Sequence, residues 1–504
     1  MLSISRRCFH AHRIAAAREA NMYETEATNS DQQKSPPAYE TPDEQRAASA
    51  APTEQQLAYE TPTIAALDGS PPPAGHDPYA ALRISGYRYY AASYSLAVIG
   101  GQIQSVALAW EIYQKTGSAM SLGWLGGIQV IPLFLLSLPA GHLVDTMSRK
   151  KLLIFTQWML AVWGIALAQL SYYHHDARLL VPAMYGVVLL NAVTLTFARP
   201  ARSAILPQLV APAIFSNAVT WNATTFELSM IIGPTVGGFI VGLGGTPLAY
   251  LINAAFLAAC AIMTLQFPSV AIQRSEKEAP GFRSLLAGVK FVFDRRLLLA
   301  TMSLDLFAVL LGGAVYLLPV FAKDILHVGP TGFGWLRAAP SFGAVSMALI
   351  QAHRPPMKKA GRALLLAVAG FGVATLVFGM SKNFWLSFAM LALTGVFDNV
   401  SVVVRHTLVQ VLTPDAMRGR VSAVNNVFIG ASNELGGFES GLTAAWLGPV
   451  KSVVYGGIGT LLTVGLTAWL FPQLRAYGPL QPHTPPQKTL SGRAGATATE
   501  PETA

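Results

Sequence analysis

The sequence predicts an all-α integral membrane protein with about twelve membrane helices in two halves of six, and three observations carry that expectation. Of 504 residues, 52% are hydrophobic and only 12% charged, with a mean hydropathy of +0.42. That balance leaves too little polar surface for a water-soluble fold. Apolar stretches of about 20 residues, the length that crosses a bilayer, recur along the chain. They fall at 87–112, 118–143, 152–172, 179–197, 216–243 and 247–267, and again at 297–321, 332–350, 363–380, 384–404, 421–447 and 453–471. Finally, Gln208 and Pro212 precede Gln410 and Pro414 by roughly two hundred residues, the offset expected of two parallel six-helix repeats.

Domain limits follow: a disordered tail over 1–80, a first half over 81–267, a linker over 268–296, a second half over 297–472, and a second tail over 473–504. Both tails are rich in Ala, Pro, Thr and charged or amide residues and poor in large apolar ones, so neither can bury a core. A short repeat, residues 38–42 echoed at 58–62, reads as low-complexity drift or a docking motif, and Met22 is an alternative start. Ser5-Arg6-Arg7-Cys8-Phe9 has the look of a twin-arginine start but no apolar segment follows it.

Charge sets the orientation. The net charge of +9 is distributed so that Arg149, Lys150, Lys151, Arg199, Arg202, Arg354, Lys358, Lys359, Arg362, Arg418, Arg420 and six linker bases share one side of the membrane, against Lys115, Arg178, Lys323, Lys382 and Lys451 on the other. The positive-inside rule then places both termini and the linker in the cytoplasm. This pattern argues against a nucleic-acid surface. Cys8 and Cys260, the two cysteines, suggest neither a disulfide framework nor a thiolate metal site.

Taken in order, the first span carries Gly100, Gly101, Gln102 and Gln104 before Trp110 and Tyr113 at the outer interface. Amides at this depth must face protein or a cavity, so they are read equally as interhelical glue or as substrate contacts. Pro132 and Pro139 bend the second span. Between the second and third spans the chain makes a tight charged elbow, residues 141–151, in which Gly141 allows close helix approach, Asp145 can bond a neighbouring helix end, and Arg149, Lys150 and Lys151 stay with the bases. Arg199 and Arg202 follow the fourth span, and the fifth holds Gly233-Pro234-Thr235-Val236-Gly237-Gly238, where the proline removes a backbone bond and the glycines permit close contact.

The elbow, Gly-x-Leu-x-Asp-x-x-x-Arg-Lys-Lys, resembles the loop between the second and third helices of major facilitator superfamily transporters. Residues 109–118, Pro200-Ala201-Arg202, 305–319, 336–340 and 432–441 narrow the likeness to the branch that includes enterobactin-exporter and macrolide-efflux types. The Gly-Pro-x-x-Gly-Gly element of the fifth span is similar to one associated with exporting, antiporting branches. The chain departs from many relatives at Met230, where they carry a base. The resemblance implies alternating access, with Asp145 docking against the start of the eleventh span, near Arg418 and Arg420, when the cytoplasmic side closes.

Ionisable groups within spans cost about 2.5–3.5 kcal/mol on insertion scales, so each needs a reason. Glu227, Asp305, Arg337, Asp398, Glu434 and Glu439 are the candidates for proton or substrate handling. For any one acid the competing role is a fixed interhelical ion pair, such as Asp305 or Glu434 with Arg337; Asp398 and Arg405, seven apart on one helix face, could meet only if Arg405 reached back. No phosphate loop or metal-spaced His or Cys cluster is present in the sequence, so an enzyme, a cofactor and a metal are not expected. The expectation is a monomeric, multi-pass protein of the bacterial inner membrane that exports an amphipathic small molecule in exchange for protons. An importer, or a non-transporting scaffold or receptor, is the alternative.

Overall fold

Apolar segments with no water to bond their backbone close their N–H and C=O groups within a single helix. Every long apolar segment is helical in the computed structural model of the protein, which describes residues 77–174, 176–268, 282–355 and 357–478. Residues 1–76 and 479–504 of the tails, the short repeat and the linker bases Arg274 and Lys277 lie outside the described residues, whereas the start of the second tail, read as disordered, is a short helix, Pro472–Ala476, with Leu474 buried against the second half. The first half is α1 (Ser85–Thr116), α2 (Ala119–Thr146), α3 (Arg149–Tyr173), α4 (Ala177–Leu209) and one run, Phe215–Leu265, that divides at Gly245 into α5 (215–244) and α6 (246–265). Gly245 has φ 76°, the left-handed region that glycine enters without a Cβ penalty, so the chain reverses with almost no connecting loop. The second half is α7 (Arg296–Leu311), α8 (Gly329–Ala352), α9 (Ala360–Met380), α10 (Phe384–Leu412), α11 (Asp415–Leu447) and α12 (Pro449–Leu470). Among the described residues nine helices pass a length-and-hydropathy test for crossing a membrane. That count takes Phe215–Leu265 once and omits the more polar α1 and α11, and so agrees with twelve spans.

Odd-numbered spans run from the linker side, which holds the α2–α3 elbow, to the far side, and even-numbered spans return. Three limits differ from the sequence expectation. On the linker side α4 continues to Leu209, α10 to Leu412 and α11 starts at Asp415, so polar segments read as loops are helical extensions. The seventh span is not one helix: after Leu311 comes the Gly312-Gly313 break, a 3-10 turn Ala314–Leu317, then Leu318–Val320 and a π turn Phe321–Ile325. Adjacent glycines and Pro319, which lacks an N–H, weaken the ladder there. Close packing also holds the break in place, since a Cβ on Gly313 would stand 2.6 Å from the Gly436 carbonyl oxygen. Finally, residues 282–294 of the linker form a helix, Phe282–Asp294. Its Val292 is buried with Leu298 of α7 and Val421 of α11.

Within the first half α1 packs on the α5–α6 run and α3 on α4 and α6; within the second α10 packs on α8 and α9. The halves meet through α2 with α11 and α5 with α8. The apolar core is continuous on the far side, where Ile103, Trp110, Leu180 and Tyr250 of the first half are clustered with Leu317, Phe321, Phe333 and Phe378 of the second. On the linker side it is split. Tyr87, Tyr90, Leu153 and Phe267 form a cluster confined to the first half, and Ala300, Leu304, Leu364 and Val404 one confined to the second. Trp385, Trp446 and Trp469, about three-quarters exposed, sit at helix ends, where indole rings suit the headgroup level.

Candidate functional site

Small residues bring the halves together on the far side. A Cβ on Gly123 of α2 would stand 3.0 Å from the Cα of Gly441 of α11, and one on Gly334 of α8 would stand 2.9 Å from the Cα of Gly238 of α5. Backbones this close leave no room for any other residue. Trp110 of α1 stacks on Phe333 of α8 with centroids 6.1 Å apart, and the Tyr113 hydroxyl donates to Asp324 while Lys323 lies over the Tyr113 ring at 5.4 Å. Nearer the linker side a Cβ on Gly430 of α11 would stand 3.0 Å from Cδ2 of Leu133 of α2.

Below that seal lies a cavity of about 240 Å³ between the halves. Its walls are mostly apolar, with Leu108, Leu122, Leu125, Val188 and Leu195 among them, and its polar groups are few: Gln104, Ser105, Gln129, Asn191, Arg202, Asn253, Tyr316, Arg337 and Glu434. The break in α7 aims Tyr316 inward, and its hydroxyl donates to Glu434 Oε2 at 2.7 Å. Arg337 crosses from α8 and donates through Nη2 to Ser105 Oγ of α1 at 2.9 Å, while its Nε is enclosed without a partner. Arg202 of α4 rests over the Tyr94 ring at 5.3 Å. Asn253 of α6 donates to Gln104 of α1 at 2.6 Å, so this amide both joins helices and lines the cavity. Gln102 instead donates to Met230 Sδ at 3.0 Å. An apolar chamber with a few convergent polar groups suits an amphipathic small molecule.

The remaining candidate residues are dispersed. Asp305 of α7 is paired not with Arg337 but with Arg405 of α10, which is 3% exposed. Arg405 therefore reaches α7 rather than back to Asp398, because only the folded bundle sets α7 beside α10. Asp398 is half-buried on α10. Glu439 is half-buried on α11 beside Ser440. In the fifth span, a Cβ on Gly233 would stand 2.6 Å from Gln102 Cβ and one on Gly237 3.0 Å from the Ile103 Cα, and Pro234 is buried in the same contact.

At the elbow the bases cap helix ends. Arg149 Nη1 donates to the Ala204 carbonyl of α4 at 3.1 Å, and Lys150 Nζ to the carbonyls of Leu265 and Phe267 at 2.8 and 2.5 Å. Cations complement the negative end of a helix dipole, and these tie α3 to α4 and α6. Gly141 has nothing within 4 Å of where a Cβ would be, so the close helix approach expected there is not made. Asp145 falls in the last turn of α2, but its side chain lies outside the described residues. Arg418 and Arg420 are exposed at the start of α11, and Arg420 donates to Met417 Sδ at 3.5 Å.

Sequence reasoning passed over one acid. Glu111 of α1 is 3% exposed and accepts from Ser171 of α3 at 2.6 Å and from Tyr250 of α6 at 2.9 Å, with Thr246 3.0 Å from Ser171. It lies near the end of α1, and its partners come from spans that no local pattern connects.

The profile of the family described as transmembrane secretion effector matches residues 76–487. The enterobactin exporter EntS of Escherichia coli O6:K15:H31 is 26% identical over 400 residues, covering 79% of this chain and 93% of that one. Among solved structures, a bacterial homolog of the human lysosomal transporter Spinster, inward-facing and unoccupied, superposes with a TM-score of 0.60 at 14% identity, over 80% of this chain and 99% of that one. A peptide transporter of the POT family in complex with sulfate gives 0.62 at 12% identity, over 84% and 99%.

Proposed function

The chain belongs to the transmembrane secretion effector family of major facilitator transporters, and from that premise we propose that it exports an amphipathic small molecule, such as a drug or a siderophore-like metabolite, in exchange for protons. Carrying this reading is the asymmetry of packing: one apolar core fused across both halves on the far side and separate cores on the linker side. A chamber sealed at one end only is the geometry that alternating access requires, with the halves rocking about a central site. The distribution of bases makes the linker side cytoplasmic, with both termini inside. In that orientation the chamber is closed to the exterior and faces the cytoplasm, from which an exporter loads. The setting is the inner membrane of a bacterium, and the chain works as a monomer.

Exporters among the relatives support the direction, as does the fifth-span element, whose Gly238 forms part of the seal against α8. The tie of Asp305 to Arg405 leaves Asp398, Glu434 and Glu439, with Glu227 next, as candidates for the proton-carrying acid. Everted membrane vesicles carrying the protein should accumulate a lipophilic fluorescent drug when a proton gradient is imposed, and lose that accumulation with a protonophore. Active extrusion from such vesicles would mean the direction is reversed. At least one of the variants Asp398→Asn, Glu434→Gln and Glu439→Gln should bind the drug yet no longer respond to the gradient; gradient-driven transport in all three would remove them as coupling sites.

A further inference from the structure

The chamber's charges do not match one another, and the mismatch specifies a ligand. Among the described residues Arg337 has one hydrogen-bond acceptor, the neutral Ser105 hydroxyl, for a guanidinium with five donors. Its Nε is shut away from solvent with no partner, and among the described residues no carboxylate lies within ion-pair distance of it. Glu434, the acid on the chamber wall, already accepts from the Tyr316 hydroxyl through Oε2. The second cation on the wall, Arg202, faces an aromatic ring rather than an acid. Two arginines thus line the chamber against one acid already engaged.

A guanidinium in a mostly apolar chamber is costly unless its donors are met by an acceptor, best by an anion in a forked pair. We propose that the Arg337 guanidinium is the seat of an anionic group on the transported molecule, so that the substrate is an organic anion: a carboxylate or acidic phenolate on an apolar body. This rests on the chamber being the transport site. The anion takes the guanidinium donors that face the chamber, while the body lies along Leu108, Leu122, Leu125 and Leu195. A cationic amphiphile of the same shape would meet two like charges, and a neutral one would leave the guanidinium without a counter-charge. Ser105 holds the guanidinium from the opposite half, so that substrate release and separation of α1 from α8 are coupled through one hydrogen bond.

A matched series decides it: 1-pyrenebutanoic acid, 1-pyrenebutanol and 1-pyrenebutylamine share a body and differ in charge. Titrated into the detergent-purified full chain and read as thermal stabilisation, the acid should half-saturate at a concentration about tenfold below that of the alcohol, the usual worth of a charge-assisted hydrogen bond. The amine should bind no better than the alcohol. Arg337→Gln should erase the difference between acid and alcohol, and Arg337→Lys, which keeps the charge but not the fork, should retain part of it. Equal binding across the series, preference for the amine, or an acid preference that survives Arg337→Gln overturns the proposal. If Arg337→Gln does not fold, the wild-type series and Arg337→Lys decide alone. Gradient-driven transport in everted vesicles separates this from the export reading. Movement of the amine without preferred binding of the acid sinks the anion seat and leaves export standing; preferred binding of the acid without transport of any compound does the reverse.

Discussion

Gly334→Ala isolates the far-side seal. The added methyl would stand 2.9 Å from the Gly238 Cα, 3.1 Å from its nitrogen, and closer still to the Pro234 carbonyl oxygen. All three are backbone atoms, so no rotamer change can relieve the contact. Relief requires α8 to move away from α5 by roughly half to one ångström, and overpacking of this kind costs about 1–3 kcal/mol. That cost falls only on the state in which the two helices touch, so the ratio of far-side-closed to far-side-open molecules should drop by a factor of about 5 to 150. Donor and acceptor dyes at Tyr173, the exposed end of α3, and Lys382, exposed between α9 and α10, report the separation of the halves on that side. In a Cys8→Ser background Gly334→Ala should lower their transfer efficiency. Gly343→Ala is the control on the same helix: its methyl would run into the backbone of Ala392, 2.7 Å from the carbonyl carbon, but α8 and α10 belong to one half and move together. It should lower the melting temperature and leave transfer efficiency unchanged. Equal efficiency in wild type and Gly334→Ala, with both folded, would refute the argument that this contact closes the far side.

Three further outcomes are expected. Arg405→Met leaves a buried Asp305 carboxylate without its partner and should destabilise the protein by about 3–5 kcal/mol; adding Asp305→Leu should recover most of the lost melting temperature, and an unaltered single variant would show the pair to be inconsequential. Glu111→Gln replaces one accepting carboxylate oxygen with an NH2 that faces a hydroxyl donor and should cost roughly 1–3 kcal/mol, less when Ser171→Ala removes one donor; strictly additive losses would show that the two are not coupled. Asp145→Asn should impair vesicle transport while expression and melting temperature hold, and undiminished transport would end its role as a gate.

The spans were legible because bilayer length and hydropathy are local properties, and eleven of the twelve coincide with continuous helices, the seventh being broken after Leu311. Their extensions beyond the membrane on the linker side were not, since polar helical segments such as the one containing Arg199 and Arg202 carry no apolar run. The break in α7 had a signal in Gly312-Gly313 and Pro319, hidden inside an otherwise uniform apolar stretch. Among the charged residues, the sequence identified Glu227, Asp305, Arg337, Asp398, Glu434 and Glu439 as needing explanation, but passed over Glu111 and did not reveal the partners. Arg405 finds Asp305 on another helix, and Glu111 finds hydroxyls on α3 and α6; both depend on which spans become neighbours. Gly141, read as a point of close helix approach, makes no such contact in this structure.

On the proposed alternating-access cycle the halves part at the far side into water, and because that core is apolar the balance between the two states carries the thermal signature of hydrocarbon hydration. Burial of Trp110, Phe321 and Phe333 in that cluster is favoured less as temperature falls, whereas among the described residues the linker-side clusters belong to one half or the other. Cooling should therefore tilt the unliganded protein toward its outward-open form, visible as falling transfer efficiency between Tyr173 and Lys382; an efficiency that rises on cooling would assign the closure to polar contacts such as Tyr113 with Asp324. On this account membrane temperature, independently of any gradient, sets how much of the resting population is ready to load.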